Sequence, residues 1–164
     1  MKLYGIVGWK DAGKTGLMER LVAEFVGRGL TVSTVKHAHH EVDIDRPGKD
    51  SYRHRAAGAR EVLLATSERF ALMHELRGAH EPPLEALLAR LSPVDLVLIE
   101  GFKSAQHPKL EVFRGAQGHE PIAKDDPHIR AVAAEGKVAP VDHPVFDLND
   151  TVAIADFIAQ DLGI

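Results

Sequence analysis

The sequence has no cysteine among its 164 residues. That absence excludes disulfides, thiolate zinc sites, iron–sulfur clusters and a cysteine nucleophile. The chain also lacks any apolar run approaching the ~20 residues of a membrane-spanning helix, and its first residues lead into a strand pattern rather than a signal peptide. We therefore expect a soluble, cytoplasmic protein with no membrane partner.

Positive charge is in the minority, because 20 Lys and Arg residues stand against 24 Asp and Glu residues, for a formal net charge of −4. The overall field of such a chain disfavours nucleic acid, so we expect no nucleic-acid partner. The length corresponds to one domain of roughly 150 residues, and no internal repeat or long linker divides it. We therefore expect a single domain over residues 1–164.

Strand and helix patterns alternate along the chain. Apolar or β-branched runs predict strands at residues 3–7, 31–35, 62–65, 70–73, 94–99, 110–113 and 129–133. Helical spacing and composition predict helices at residues 17–26, 50–59, 84–91 and 152–162, the last capped by Asn149 or Asp150. Such alternation, with continuously apolar strands, is typical of a parallel sheet covered on both faces. We expect a three-layer α/β/α fold with a mostly parallel central sheet.

The clearest motif follows the first predicted strand. Residues 8–15 read GWKDAGKT and match GxxxxGK[ST] between a strand and a helix, as a phosphate-binding loop requires. Its glycines let backbone N–H groups point at phosphate oxygens, and the helix N-terminus adds partial positive charge. In this motif Lys14 would bridge the β- and γ-phosphates, and the Thr15 hydroxyl would ligate Mg²⁺. The motif predicts a P-loop NTPase fold that binds a nucleotide.

A carboxylate, Glu100, ends the most strongly apolar of the predicted strands. In this fold class the acidic partner of a phosphate-bound Mg²⁺ lies at the carboxyl end of a neighbouring strand. Glu100 is therefore a candidate for a water-mediated metal contact or for orienting an attacking water; the alternative is a solvated carboxylate at a strand end. Asp95 lies near the opposite end of this strand, and we interpret it as structural.

A polar loop at residues 36–51 follows the second predicted strand. Its aspartates are candidates for the Mg²⁺ shell, and nearby basic side chains are candidates for anionic ligand groups. These candidates are Asp43, Asp45, Lys36, Lys49 and Arg53. The histidines His37, His39 and His40 suggest a metal site, but no apolar shell or regular spacing supports it, which favours a solvated loop.

One weak motif concerns the nucleotide base. Residues 123–126 read AKDD, which keeps the Lys and Asp of the guanine-binding [NT]KxD element but has Ala in its first position. Chance placement in an acidic turn before Pro127 is the alternative. Guanine specificity therefore cannot rest on this element.

Polar and apolar residues alternate over Lys109–Arg114. The alternation predicts either an exposed edge strand that pairs with a second copy of the chain, or an ordinary half-buried strand. An edge strand would suit an interaction module with a vestigial nucleotide site.

Several segments together resemble the molybdopterin-guanine dinucleotide biosynthesis protein B (MobB) family. They are GWKDAGKT, the segment TVKHAHHEVDIDRPGKDSYRHRAAGA that ends at residue 59, DLVLIEGFK at 95–103 and HPKLEVFR at 107–114. The resemblance implies a GTP-binding adaptor of molybdenum cofactor biosynthesis that assists a partner guanylyltransferase in attaching GMP to molybdopterin. It also implies a homodimer and Mg²⁺-dependent GTPase activity that is weak at most.

The resemblance also implies the residues of the site. The phosphates would meet the loop, Mg²⁺ would meet Thr15 with Glu100 nearby and with Asp43 as a further candidate, and Lys14 and Glu100 would serve any hydrolysis. The nucleotide-binding set is Gly8, Trp9, Lys10, Asp11, Ala12, Gly13, Lys14, Thr15, Gly16, Asp50 and Arg53. Gly16 departs from the family, where a second Thr is common, and Asp11 places a negative charge beside the phosphates.

A small ATP-dependent kinase or ligase is the alternative function, because an acid beside a phosphate loop serves phosphoryl transfer equally well. The sequence offers no evident lid with clustered arginines and little length for an acceptor pocket. These features favour the adaptor.

Overall fold

The computed structural model describes residues 1–38 and 43–164. The strands and helices of these ranges follow one another in the order β1 (Lys2–Val7), α1 (Lys14–Gly27), β2 (Val32–Lys36), α2 (Asp50–Ala56), β3 (Glu61–Ala65), β4 (Phe70–His74), α3 (Leu84–Leu88), β5 (Leu96–Glu100), β6 (Lys109–Arg114), β7 (Ile129–Glu135), β8 (Val145–Asp147) and α4 (Thr151–Leu162). Two 3₁₀ turns, Gly115–Gln117 and Ile122–Lys124, lie between β6 and β7. The chain forms two compact units, one of residues 1–37 and 87–164 and the other of residues 38–86.

The first unit is built on a six-stranded sheet with the order β2-β5-β1-β6-β7-β8. Each neighbouring pair is parallel. The strand after the second unit, β5, is buried at every residue and lies between β1 and β2. A strand covered on both faces is typically rich in apolar residues, which is why the apolar run over 94–99 predicted it. The expected parallel α/β fold is confirmed.

One face of this sheet packs against α1 and α4. The stripe of α1 predicted from four-residue spacing is buried, since Leu17, Leu21 and Phe25 are fully inaccessible. Each such side chain contributes about 1.5–3 kcal/mol by leaving water. The start of α4 is capped by Asp150, whose Oδ1 accepts a hydrogen bond of 3.1 Å from the Ala153 N–H. Of the two predicted caps, Asp150 is therefore the right one.

The other face carries a smaller apolar cluster around Val7, Phe113, Ile129 and Val132. Over this cluster lies the 3₁₀ turn Ile122–Lys124. Neither this turn nor β8 was predicted, because segments of three residues are too short to show a periodic pattern.

Both interpretations of β6 are wrong. It lies between β1 and β7, so it is not an edge strand, and it is buried on both faces rather than one. The apolar members of the alternation, Leu110 and Val112, face the core under α1 and α4. The polar members, Lys109 and Glu111, are buried on the opposite side, where partners within the protein satisfy them. Burial of paired charges explains why the alternation did not mark a solvent-facing side.

Asp95 is structural, as expected. Its Oδ2 accepts hydrogen bonds from the backbone N–H of Thr31 at 2.8 Å and from the Thr31 hydroxyl at 2.6 Å. These contacts tie the segment before β5 to the segment before β2.

The second unit contains α2 and an antiparallel hairpin of β3 and β4, which confirms the predicted strand pair. Arg55 of α2 organises its polar side, with ion pairs to Asp43 (2.8 Å), Asp45 (3.3 Å) and Glu75 (2.8 Å). On the hairpin, the pair Val62 and Met73 is buried. The facing positions on the opposite side of the hairpin are apolar and exposed: Leu63, Phe70 and Leu72.

Over residues 1–38 and 43–164, the structure contains no helix with the length and apolar character to span a membrane.

Candidate functional site: a phosphate loop and an adjoining cavity

The loop between β1 and α1 closes tightly over the sheet. Gly8 has φ +151°, and a Cβ added there would lie 2.4 Å from the carbonyl oxygen of Val112. Only glycine fits that approach. Gly13, with φ +101°, precedes the first residue of α1, and no side chain of the described chain caps this helix. The N-terminal N–H groups of α1 therefore have no side-chain acceptor, and the helix dipole at this end favours an anion.

Lys14 lies folded over the loop, with its Nζ donating to the carbonyl oxygen of Trp9 at 2.7 Å. Burial lowers the pKa of Lys14, and the positive charges of Lys103 and Lys36 lower it further, against the opposing effect of Glu100 and Asp11. An anion bound at the loop would raise the pKa of Lys14 again, because a further negative charge favours the ammonium form.

Thr15 and Glu100 come together as the sequence predicts. The Thr15 hydroxyl donates to Glu100 Oε1 at 3.3 Å, and Lys36 Nζ lies 3.4 Å from the same oxygen. Glu100 is 8% exposed, so it is a buried carboxylate rather than the solvated one of the alternative interpretation. The parallel register aligns Lys36 with Glu100 at the ends of β2 and β5. A hydroxyl and a carboxylate side by side offer oxygen ligands of the kind that Mg²⁺ prefers.

The remaining predicted residues of the loop differ in exposure and contacts. Asp11 has φ +60° and is exposed, Ala12 is buried, and the Lys10 carbonyl accepts a 3.0 Å bond from the Gln117 side chain. A Cβ added at Gly16, in the first turn of α1, would be in ordinary contact with Arg20 Nη1 at 3.6 Å.

The other predicted residues lie in the second unit. Asp43 accepts two hydrogen bonds from Arg55 Nη2, at 2.8 and 3.1 Å, and a backbone hydrogen bond from Asp45 together with Arg55 lowers its pKa. Asp50 and Arg53 are both exposed and form a 3.9 Å ion pair at the start of α2. The participation of these residues in ligand binding stays a prediction.

The histidine candidates divide between described and undescribed residues. His39 and His40 lie outside the described residues, and His37 stacks on Phe102 with ring centroids 4.6 Å apart. In the part of the chain that the structure describes, no three His, Asp or Glu side chains are grouped so that they could hold a metal.

Sequence reasoning assigned no role to the surroundings of Trp9. Its Nε1 donates to the Glu120 carbonyl oxygen at 3.1 Å, and its ring stacks on His119 at 4.8 Å. Lys103 Nζ lies 4.4 Å from the Trp9 ring centroid, a cation–π distance. The sequence did contain one signal for these surroundings. Lys103, a basic residue three positions after Glu100, belongs to the segment DLVLIEGFK, which carries part of the family resemblance.

The AKDD element is engaged within the protein. Asp126 Oδ2 pairs with Lys109 Nζ at 2.6 Å, and Asp126 Oδ1 accepts the His128 N–H at 2.9 Å. Lys124 pairs with Glu120. Because Asp126 is already bonded through both oxygens, the structure favours the non-guanine interpretation of this element.

A cavity of about 560 Å³ opens beside the loop. Trp9 forms part of its wall, with Lys103, Ser104 and Gln106 from the segment after β5 and residues 120–122 and 125–128 from the segment before β7. A space of this size holds a small ligand.

The parallel sheet, the glycine-bearing loop and the strand-end acid together define an α/β fold of the P-loop NTPase type. The family model of molybdopterin guanine dinucleotide synthesis protein B, MobB, matches residues 3–135, and the chain belongs to that family. The resemblance found in the sequence is thereby confirmed.

Relatives extend the match over almost the whole chain. A molybdopterin-guanine dinucleotide biosynthesis adapter protein of Escherichia coli K12 is 38% identical over 161 residues, covering 96% of this chain and 91% of its own. One of the same description from Haemophilus influenzae is 38% identical over 156 residues, covering 95% and 86%. A crystal structure of a MobB homologue from Bacillus stearothermophilus superposes with a TM-score of 0.74 at 30% identity, covering 99% of both chains.

Proposed function

We propose that this protein is an adapter of molybdopterin guanine dinucleotide biosynthesis. In this role it binds GTP with Mg²⁺ in the cytoplasm and assists a partner guanylyltransferase in attaching GMP to molybdopterin. The names of the bacterial relatives support the pathway. The observation that carries the nucleotide part is the convergence of Lys14, Thr15 and Glu100 at one end of the sheet.

The loop's own residues would hold the phosphates. Backbone N–H groups at the start of α1 donate to phosphate oxygens, and Lys14 exchanges the Trp9 carbonyl for a phosphate oxygen. That exchange replaces a neutral acceptor by a charged one, which strengthens the hydrogen bond.

Mg²⁺ would be held by Thr15 Oγ1 and, directly or through water, by Glu100. Two protein oxygens leave the other positions to phosphate and water, the arrangement that Mg²⁺ adopts at phosphate sites. When bound, the ion neutralises charge on the phosphates. Glu100 shares its Oε1 with Thr15 and Lys36, so this oxygen is already engaged and is not free to orient an attacking water. Hydrolysis is accordingly expected to be slow.

Nucleotide titration tests this function. Wild-type protein is expected to bind GTP more tightly than ATP in the presence of Mg²⁺, and Lys14→Ala is expected to abolish binding of both. Lys2→Ala, a change to a lysine of β1 outside the loop, serves as the matched control. A preference for ATP, or transfer of phosphate to a small acceptor at roughly 1 s⁻¹ or faster, would favour the kinase alternative.

A homodimer completes the proposal, and the exposed face of the β3–β4 hairpin supports it. Phe70 is 74% exposed, and Leu63 and Leu72 sit opposite each other on the same face. Apolar side chains gathered on one face of a two-stranded sheet mark an interaction surface. We expect a second copy of the chain to cover it.

Light scattering tests the dimer. Leu63→Ser with Phe70→Ser is expected to give a monomer that remains folded, because both side chains are already exposed. Val26→Ser, which alters an exposed apolar residue of α1, should leave the dimer intact. A double variant that remains dimeric would place the contact elsewhere.

A further inference from the structure

We infer that the cavity beside Trp9 binds a planar heterocycle through a 2-amino-4-oxo edge, the edge shared by guanine and pterin. The inference deepens the proposed function and rests on it for the identity of these two ligands. It does not use Asp126, the aspartate that the guanine-binding pattern would assign to the base, because Lys109 already pairs with it; it uses the preceding residue of the AKDD element, Asp125.

The walls of the cavity are held in place by two charged residues of β6. Lys109 Nζ donates to the Lys103 carbonyl oxygen at 2.5 Å and to Asp126 at 2.6 Å, and so joins the segment after β5 to the segment before β7. Glu111 accepts the N–H groups of Ile122 and Ala123 at 2.9 and 2.8 Å. Because both anchors are buried, the cavity is formed before any ligand enters.

The acids of the cavity differ in what they can offer a ligand. Glu120 pairs with Lys124, and Asp126 pairs with Lys109. Asp125 lines the same space, and among the described residues its carboxylate takes part in no hydrogen bond or ion pair. Asp125 is therefore the carboxylate available to an N–H donor.

A carboxylate accepts two hydrogen bonds side by side, so it matches a ring edge that presents two adjacent donors. The ring N–H and the 2-amino group of guanine and pterin form such an edge. Adenine presents a lone pair beside its amino group, which would face the carboxylate unfavourably. Asp125 thus selects for the 2-amino-4-oxo ring and against adenine.

The segment after β5 supplies hydrogen-bond donors, in contrast to the acceptor that Asp125 supplies. Lys103, Ser104 and Gln106 line the cavity and carry donors that suit a ring carbonyl oxygen. Apolar surface for the flat faces of the ring comes from Pro121, Ile122 and other neighbours in the lining. The cavity therefore offers both hydrogen-bonding edges and apolar walls to one heterocycle.

Trp9 connects this cavity to the phosphate loop, since it belongs to the loop and forms part of the cavity wall. Lys103 lies over the Trp9 ring and acts electrostatically on Lys14. A ligand in the cavity therefore lies next to the phosphate site.

Binding measurements with GTP, ITP and tripolyphosphate test the inference. ITP lacks the 2-amino group, and tripolyphosphate lacks the base. If guanine occupies the cavity, wild type should bind GTP about tenfold more tightly than ITP, and Asp125→Asn should remove that difference. Asp142→Asn, at an exposed aspartate outside the lining, should preserve it. Tripolyphosphate binding should be equal in all three proteins.

A second arm uses 6-hydroxymethylpterin, followed by the fluorescence of Trp9, the single tryptophan of the chain. If Asp125→Asn weakens pterin binding and GTP displaces the pterin from wild type, the two compete for one site, and the cavity is the guanine site. Pterin that binds with the same dependence to GTP-saturated protein assigns it to a pterin. Either result supports the inference.

The inference is overturned if Asp125→Asn changes neither the GTP-to-ITP ratio nor pterin binding. Lys14→Ala separates this failure from that of the proposed function. Loss of tripolyphosphate binding in Lys14→Ala, with no effect of Asp125→Asn, would retain the nucleotide function and reject the cavity. If wild type binds pterin through Asp125 but does not bind tripolyphosphate, the cavity is retained and the nucleotide function is rejected.

Discussion

Lys109 and Asp126 form an ion pair of 2.6 Å in which the Lys109 side chain is 1% exposed. The same ammonium group donates to the Lys103 carbonyl oxygen. One buried cation thus connects the start of β6, the segment after β5 and the turn before β7. Such a pair is costly to leave half-made, because the remaining charge is largely shielded from water.

Lys109→Met is expected to lower the free energy of unfolding by roughly 3–5 kcal/mol, since it leaves Asp126 without its partner. Adding Asp126→Asn should restore part of the loss by removing the stranded charge. Urea denaturation measures both changes. Lys137→Met, at an exposed lysine after β7, should change stability by less than about 0.5 kcal/mol, and an equal effect at both lysines would contradict the buried role of Lys109.

Acid should weaken the same contact. Burial by itself would raise the pKa of Asp126, but the Lys109 and His128 hydrogen bonds outweigh burial and hold it below its ordinary value. The stabilisation is therefore complete above the unfolded carboxyl pKa of about 3.9 and is lost as pH falls through the lower folded pKa.

Urea denaturation from about pH 6 to about pH 3 measures this dependence, and Asp126→Asn should lack its share of it. Burial raises the pKa of Glu111, so that residue contributes with the opposite sign. The difference between wild type and Asp126→Asn isolates the aspartate. Parallel curves for the two proteins would show that Asp126 contributes no pH dependence.

Gly8→Ala should damage the phosphate loop. The added Cβ would lie 2.4 Å from the Val112 carbonyl oxygen, at a φ that L-residues rarely adopt, and the strain should cost about 1–3 kcal/mol. Tripolyphosphate binding should fall with it. Gly27→Ala is a matched control, since its new Cβ would meet nothing within 4 Å, and we expect it to be neutral or stabilising by about 0.4–1 kcal/mol. Thermal unfolding and calorimetric titration measure both variants.

Glu100→Gln should reduce the effect of Mg²⁺ on GTP binding. The amide keeps the size of the side chain but loses the negative charge, so the gain in affinity on adding Mg²⁺ should fall about tenfold. Affinity without Mg²⁺ should stay equal or rise, because a negative charge near the phosphates is removed. Glu19→Gln, on the exposed side of α1, controls for net charge. An unchanged Mg²⁺ effect would remove Glu100 from the metal site.

The parts of the fold that followed from the sequence are those with one uniform pattern. The stripe of Leu17, Leu21 and Phe25 repeats every four residues, and β5 is apolar throughout, so each has a single low-energy arrangement. The phosphate loop was equally clear because glycine, lysine and threonine stand at fixed spacing beside a strand.

What could not be predicted depends on partners distant in the chain. The sequence pattern suggests that Lys109 and Glu111 face solvent. Their partners are Asp126 and the N–H groups of the 3₁₀ turn, which belong to a later segment without a periodic signal. The cavity has the same origin, since its walls come from segments that only the parallel sheet brings together. A local sequence pattern indicates whether a residue on its own favours burial or solvent. It does not indicate which charged group the fold places beside that residue.

The order of strands also constrains how the chain acquires its structure. Both early strands, β1 and β2, pair with β5 and not with each other. Neither of them can pair with β5 until residues 96–100 are brought next to it, and the whole second unit lies between them in the chain. Closure of that long intervening loop, rather than formation of α1, should therefore limit the rate of refolding. Amide protection in β1, β2 and β5 should then appear together in time.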